Sequence, residues 1–373
     1  MPTDLAVIGG GVIGLSIAWR CARRGLRVTV YDPEPGSGAS TVAAGMLAPV
    51  TEAHFGEEPL LRLALASAER WPEFAAELGR YGDLGYRTSG TLLVGYTEDD
   101  LRELERLHRF YESLGLPAEP LRARACRERV PLLSPRVRGG MYAAGDHQVD
   151  PRRVTAALHQ AAVREGVTIE RRRVERLDEV TADRVVLAAG SASARLADLP
   201  VHGVKGQVLR LRAVGGDPGF GLNVRALLTN RSVYLVPRAD GEVVVGATME
   251  ERADTTVTAG GVYDLLRAAI DVLPEVAEYE LVEARAGLRP GTPDNAPLLG
   301  PTGDPRVVAA TGHFRNGILL TPITAELVTE YLVEGVVPEA MRPFDARRFA
   351  GPSDARPSLG SEEGSLSSEK GER

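Results

Sequence analysis

The chain has 373 residues, a formal net charge of −7 and two cysteines, Cys21 and Cys126. That length can supply two domains with a substantial core. The acidic balance leaves no basic footprint for nucleic acid, and two cysteines make neither a disulfide framework nor a zinc site, which points to a reducing compartment. No run reaches the ~20 apolar residues of a membrane span, and strand-forming sequence begins at Leu5 with no charged leader or cleavage site before it, so the expectation is a soluble, cytosolic protein.

Leu5, Ala6, Val7 and Ile8 form a short apolar run suited to a strand buried on both faces. Gly9-Gly10-Gly11-Val12-Ile13-Gly14 then fits G-x-G-x-x-G. Gly9 permits the tight turn, Gly11 lets backbone approach a pyrophosphate, and Gly14 lets the helix pack close to the strand. The helix predicted from Val12 to about Arg24 carries Ile13, Ile17 and Cys21 on a stripe facing the sheet. Its N-terminus directs free N–H groups and positive dipole at phosphates. Gly25 ends it, Leu26 to Tyr31 form a second strand, and Asp32 at that strand's tip is placed to hydrogen-bond an adenosine ribose and repel a 2′-phosphate. This end reads as a site for FAD or NAD. Cys21 lies in the buried stripe and reads as a core residue.

From Pro33 to Pro49 small residues dominate, which suits backbone running along a ligand, with Ser40 and Thr41 able to donate to phosphates. Helices are predicted from Leu60 to Leu78 and from Asp99 to Leu114, and strands from Thr88 to Gly95 and from Gly139 to Ala144. Asp150 caps a helix with Pro151 in its first turn, running to Gly166. Strands follow at Thr168 to Glu170, at Val174 to Leu177 and at Val185 to Gly190, the last ending in small residues where a strand tip can approach a dinucleotide.

Beyond Val204 the pattern changes. Val208 to Leu211, Ser232 to Pro237 and Glu242 to Gly246 are strands, the last two joined by a hairpin turn at Arg238-Ala239-Asp240-Gly241. Gly261 to Val272 is helical, Val307 to Gly312 is again a buried parallel strand, and a last helix runs from Thr321 to Leu332. The fold class expected is therefore α/β, a Rossmann-like dinucleotide domain with an inserted, mostly antiparallel α+β domain. The polar stretch from Gly351 to Arg373 reads as disordered.

Six segments in this order resemble the FAD-dependent amino-acid oxidase superfamily: Val7 to Gly14, Ala43-Ala44-Gly45-Met46-Leu47, Val204-Lys205-Gly206-Gln207, Gly246-Ala247-Thr248-Met249-Glu250, Gly287-Leu288-Arg289-Pro290 and Gly312-His313-Phe314-Arg315-Asn316-Gly317-Ile318. The resemblance covers roughly residues 3–345 and is greatest to glycine oxidases of thiamine biosynthesis. It implies an FAD-binding domain of residues 1–85, 140–202 and 286–347, a substrate domain of 86–139 and 203–285, and a tail from 348 to 373.

Arg289 is similar to the arginine that grips the substrate carboxylate, Tyr234 to a tyrosine lining the substrate side, Arg315 to the segment at the flavin's pyrimidine edge, and Met249 to a pocket residue with core packing as the alternative. FAD contacts implied are Gly9, Gly11, Val12, Ile13, Gly14, Asp32, Ser40, Thr41, Ala43, Ala44, Gly45, Met46, Leu47, Val174, Ala189, Gly190, His313, Arg315, Asn316, Gly317 and Ile318. His313 is expected to pack or hydrogen-bond rather than act as a base, and Glu52 and His54 read as entrance-loop residues that face solvent. No cysteine follows Cys126, so the FAD should be held noncovalently. No metal ligands, paired carboxylates or activated nucleophile are apparent.

The expected reaction is oxidation of glycine, sarcosine or a small D-amino acid, with dioxygen reduced to hydrogen peroxide and the cofactor carrying the chemistry. The resemblance also implies a homotetramer and a link to thiazole synthase. Two other readings stay open: a D-amino acid dehydrogenase feeding a quinone, which would want an amphipathic membrane-facing stretch, and a non-catalytic dinucleotide-binding protein.

Overall fold

The protein is described here from a computed structural model, which covers residues 4–228 and 231–349. Two sheets dominate it. The first has six strands in the order Leu298–Pro301, Val307–Thr311, Arg184–Leu187, Asp4–Ile8, Arg27–Tyr31, Thr168–Glu170. All its neighbours are parallel except Leu298–Pro301, which runs against Val307–Thr311. Parallel strands are buried on both faces, and Val7, Val186, Leu187 and Val308 are accordingly fully buried.

The helix Val12–Arg23 packs between Pro151–Arg164 and Thr321–Glu334, with Glu58–Leu78 behind. Ile17 and Cys21 of the predicted stripe are fully buried, whereas Ile13, one turn from the glycine loop, borders a cavity. Trp19 meets Phe74 edge to face at 5.8 Å, and Trp71 meets Phe74 at 5.3 Å, tying the first and second helices together. Asp150 caps its helix by accepting from the Arg152 N–H at 2.9 Å.

The second sheet has eight strands in the order Glu280–Gly291, His202–Arg212, Glu242–Gly246, Arg231–Pro237, Asn223–Leu228, Thr91–Gly95, Gly139–Ala143, Glu119–Arg122. It is antiparallel except where Asn223–Leu228 lies parallel to Thr91–Gly95. The hairpin turn closes where the Arg238 N–H donates to Glu242 at 2.7 Å. The helix Ala259–Val272, capped by Thr258, covers one face through Leu265, Ala269 and Val272.

Three expectations change. Val174 to Leu177 is not a strand: no neighbouring strand pairs with it, Val174 and Leu177 turn to the core while Glu175 and Arg176 between them are exposed, and a 3-10 turn follows at Leu177–Glu179. The domain borders expected at residues 140 and 286 fall inside strands, because Gly139–Ala143 and Glu280–Gly291 both belong whole to the eight-stranded sheet. The tail expected from 348 begins with an anchored residue, since Arg348 donates to the Asp294 carboxylate at 2.8 Å and to the Ala296 carbonyl at 2.9 Å. The stretch from Gly351 onward lies outside the described residues.

Candidate active site

A cavity of about 960 Å³ lies where the two sheets meet, running from the glycine loop to the second sheet's inner face. Gly9 has φ +111°, and a Cβ there would sit 2.3 Å from the Ala188 carbonyl, so only glycine fits this turn. A Cβ on Gly14 would sit 1.9 Å from the Gly9 carbonyl. Gly14 therefore serves helix–strand packing and does not reach the cavity, while Gly9, Gly11, Val12 and Ile13 line it. Asp32 lines it too. Its carboxylate accepts from the Gly10 N–H at 2.6 Å and the Glu34 N–H at 2.8 Å, which fixes the acid beside the loop. The Ser40 hydroxyl oxygen accepts from the Val12 N–H at 3.2 Å.

Ser40, Ala43, Ala44, Gly45 and Met46 border the cavity, as do Val174, Ala189, Gly190, His313, Arg315, Asn316, Gly317 and Ile318. Thr41 and Leu47 do not. The Thr41 hydroxyl turns back to the Gly38 carbonyl at 3.1 Å. Leu47 follows Met46 on a two-residue strand, so it points to the opposite face and is buried in the helical core. His313 is buried and shares a 3.1 Å hydrogen bond with Thr324, and burial pushes its imidazole down to about 3.

At the far end, Arg289 and Tyr234 meet. Arg289 donates from Nη1 to the Thr248 carbonyl at 3.2 Å, and its positive charge lies near the half-buried Tyr234 phenol. Burial raises that phenol's pKa, against the arginine's positive charge. Both side chains lie over glycines of neighbouring strands: a Cβ on Gly206 would meet the Arg289 guanidinium at 2.3 Å, and one on Gly246 would meet the Tyr234 hydroxyl at 2.3 Å. Met249 borders the cavity with 59 % of its surface exposed, so it belongs to the rim and not to the core.

Sequence reasoning missed an ion network beside this pair. Arg225 stands directly opposite Tyr234 in the sheet and donates to the Thr51 carbonyl at 2.7 Å. It also pairs with Glu52 at 2.7 Å. Glu52 reaches Arg315 at 3.5 Å, and Arg315 reaches Glu57 at 3.4 Å. Glu52 is thus not a solvent-facing loop residue: its side chain is 16 % exposed. His54 does lie exposed, at the cavity's edge. Among the described residues no carboxylate comes within 4.0 Å of Arg289, the one arginine of this end left without an acidic partner.

Residues 4–331 match the family of FAD dependent oxidoreductases designated DAO. The chain belongs to that family. It is an FAD-dependent oxidoreductase. It is 34% identical over 373 residues to the glycine oxidase of Geobacillus kaustophilus, with 93% of this chain and 97% of that protein covered. The crystal structure of glycine oxidase from that organism superposes with a TM-score of 0.86 at 34% identity, covering 94% of this chain and 100% of that one. It is also 34% identical over 368 residues to the bifunctional protein ThiO/ThiG of Trichormus variabilis, spanning 94% of this chain and only 55% of that relative's length.

FAD is the cofactor, and the cavity suits it. Its volume lies at the upper end of ligand pockets, roughly 300–1,000 Å³. One long wall is built of Gly9, Gly11, Ala43, Ala44, Gly45, Ala189 and Gly190, which leaves backbone free to approach a dinucleotide. Asp32 stands at one end of this wall, and the turn Phe314–Asn316 leads into the last helix at the other. No helix among the described residues is long and apolar enough to cross a membrane.

Proposed function

We propose that the protein oxidises glycine, or another small amine bearing one carboxylate, and that Arg289 and Tyr234 bind that carboxylate. The observation that carries this reading is the charge pattern. Arg225, Arg289, Arg315 and Glu52 line this end of the cavity, Arg225 is paired with Glu52 and Arg315 with Glu52 and Glu57, and Arg289 has no acidic partner among the described residues and is left for an incoming anion. A guanidinium matches the two oxygens of a carboxylate, and the neighbouring phenol adds a third contact. With the carboxylate fixed, the substrate Cα is held in one place relative to the cofactor, a contribution of proximity rather than of acid–base chemistry.

When bound, FAD supplies a two-electron acceptor for the C–N unit, and dioxygen takes the electrons onward as hydrogen peroxide. The imino acid left behind hydrolyses to glyoxylate and ammonia. His313, neutral and hydrogen-bonded to Thr324, takes no proton from the substrate in this scheme. Likeness to glycine oxidases supports the substrate, and likeness to a ThiO/ThiG protein supports a role in thiamine synthesis, with the imino acid passed to thiazole synthase. We also propose a cytoplasmic homotetramer.

The test is a peroxide assay on the purified holoenzyme with glycine, sarcosine, D-alanine and ethylamine. Peroxide from the three carboxylate-bearing amines and little from ethylamine supports the reading. Flavin that none of the four reduces, even without oxygen, overturns it.

A further inference from the structure

The sequence contains two lysines, Lys205 and Lys370, against a total of 44 lysines and arginines. Lys205 is the only one within the described residues, and it is fully buried. A chain that uses arginine almost everywhere keeps one ammonium in its interior. A buried lysine loses hydration that its partners must replace. Here they are Asp254, 2.8 Å from Nζ, and Glu250, at 3.7 Å. The Asp254 carboxyl is held well below its usual range, first of all by the hydrogen bond from Lys205.

Both partners lie on one segment. After the strand Glu242–Gly246 the chain runs along the cavity, with Ala247, Met249, Thr255 and Val257 on its wall. Lys205 binds that segment twice over, because its backbone also exchanges hydrogen bonds with Glu250 at 2.9 and 3.0 Å. Gln207, two residues on, donates its side-chain amide to Glu250 at 2.7 Å and to Thr258 at 3.1 Å. The segment in turn orients Arg289, whose Nη1 reaches the carbonyls of Thr248 at 3.2 Å and of Lys205 itself at 3.5 Å.

We infer that Lys205 is a positioning residue for substrate binding: by tying Asp254 and Glu250 to the sheet it holds segment 247–258 against the cavity and keeps the Thr248 carbonyl where it aims Arg289 at the substrate carboxylate. This rests on the reading of Arg289 as the carboxylate site. Lysine suits the place because its compact, flexible ammonium reaches two carboxylates from a fully enclosed position, where a planar guanidinium needs more room. The effect is on the binding of carboxylates and not on the electron-transfer step.

The experiment compares holoenzymes of the wild type, Lys205→Met, Asp254→Asn and Arg289→Ala. Three quantities are read: KM and kcat for glycine, the dissociation constant of acetate from its perturbation of the flavin spectrum, and acetylation of Lys205 by an amine reagent, followed by mass spectrometry. Lys205→Met should raise glycine KM and the acetate dissociation constant together, by tenfold or more, with kcat within about threefold of wild type. Asp254→Asn, a change on the half-buried segment, should shift both in the same direction by a smaller factor and make Lys205 acetylate faster than in the wild type. It keeps the proposal testable should Lys205→Met fail to fold. Wild-type acetate affinity in a folded Lys205 variant, or in Asp254→Asn with unchanged acetylation, overturns the inference while Arg289→Ala still weakens acetate. If Arg289→Ala itself binds acetate normally, the carboxylate reading fails first and takes this inference with it.

Discussion

Arg289 rests on Gly206. A Cβ at residue 206 would lie 2.3 Å from Nη1 and 2.5 Å from Cζ of the guanidinium. Val204 is the residue paired with Arg289 across the two strands, and Gly206 stands two residues further along the same strand. The long side chain therefore lies along the sheet over a position that carries no side chain. This glycine gives room and not a special backbone angle.

Gly206→Ala should accordingly act as a partial Arg289 mutant. Removing the arginine outright leaves a substrate carboxylate unpaired in an enclosed site, a loss of about 2–5 kcal/mol in transition-state binding. Arg289→Ala should show that loss in kcat/KM for glycine, and Arg289→Lys should recover only part, since the fork is gone. Gly206→Ala should fall between wild type and Arg289→Ala with FAD content unchanged. Steady-state kinetics on the three variants, with thermal unfolding as a control for folding, decide it. Wild-type kinetics in Gly206→Ala would mean the guanidinium has another productive place to lie.

The cofactor should leave the denatured protein intact. Cys21 is buried in the first helix, 3.4 Å from the Thr329 hydroxyl, and Cys126 is buried under the second sheet. Burial raises both thiols to about 11, and neither borders the cavity. A thiol kept protonated and out of reach makes no flavin bond. Acid precipitation should therefore give a colourless pellet and a yellow supernatant. A yellow pellet refutes noncovalent binding.

What was legible in the chain was local. The first strand, the glycine turn and the first helix were read nearly to the residue because loop chemistry and apolar period agree there. Three strands of the second sheet carry no such signal, the shortest being Glu119–Arg122, where a single leucine stands among a proline and charged residues. Glu280–Gly291 is an edge strand whose first three residues are exposed and most of the rest half-buried, so its residues show no apolar alternation. Asn223–Leu228 carries Arg225 among its apolar residues, and that arginine is neutralised by Glu52, far away in sequence. No period announces such a pair; only the folded sheet brings it together. Leu47 and Thr41 lie off the cavity for the opposite reason: a motif locates a segment, while the side-chain direction of each member depends on pleat and turn.

His313 should make the folded protein acid-sensitive. Its imidazole ordinarily titrates near 6.5 and burial lowers it to about 3. Below about pH 6.5 the unfolded chain binds a proton that the folded chain refuses, so stability falls with pH by up to about 1.4 kcal/mol per unit from this group. Above pH 6.5 both states are neutral and the contribution is flat. His313→Gln, which keeps a partner for Thr324 but binds no proton, should lack this slope. Urea unfolding of both holoenzymes at pH 7.5, 6 and 5 in excess FAD should show wild type losing ground to the variant as pH falls. Parallel losses would place the acid sensitivity elsewhere.

The last prediction concerns Glu52 and the number of charges a substrate carries. Glu52 is shared by Arg225, at 2.7 Å, and Arg315, at 3.5 Å. With it in place the substrate end presents one uncommitted cation, Arg289, which suits a single carboxylate. Glu52→Gln keeps the shape and removes the charge, so Arg225, opposite Tyr234, becomes a second cation facing the cavity. An added carboxylate on the substrate should then gain a charge-assisted hydrogen bond worth about 1.5–3 kcal/mol. The ratio of kcat/KM for iminodiacetate to that for glycine should rise at least tenfold, and it should fall again at high salt because part of the gain is screened. Arg315 still has Glu57 at 3.4 Å, so FAD content should change little. The double variant Glu52→Gln with Arg225→Leu should lose the gain. A ratio that stays at the wild-type value would show that Arg225 does not turn toward the substrate when its partner is removed.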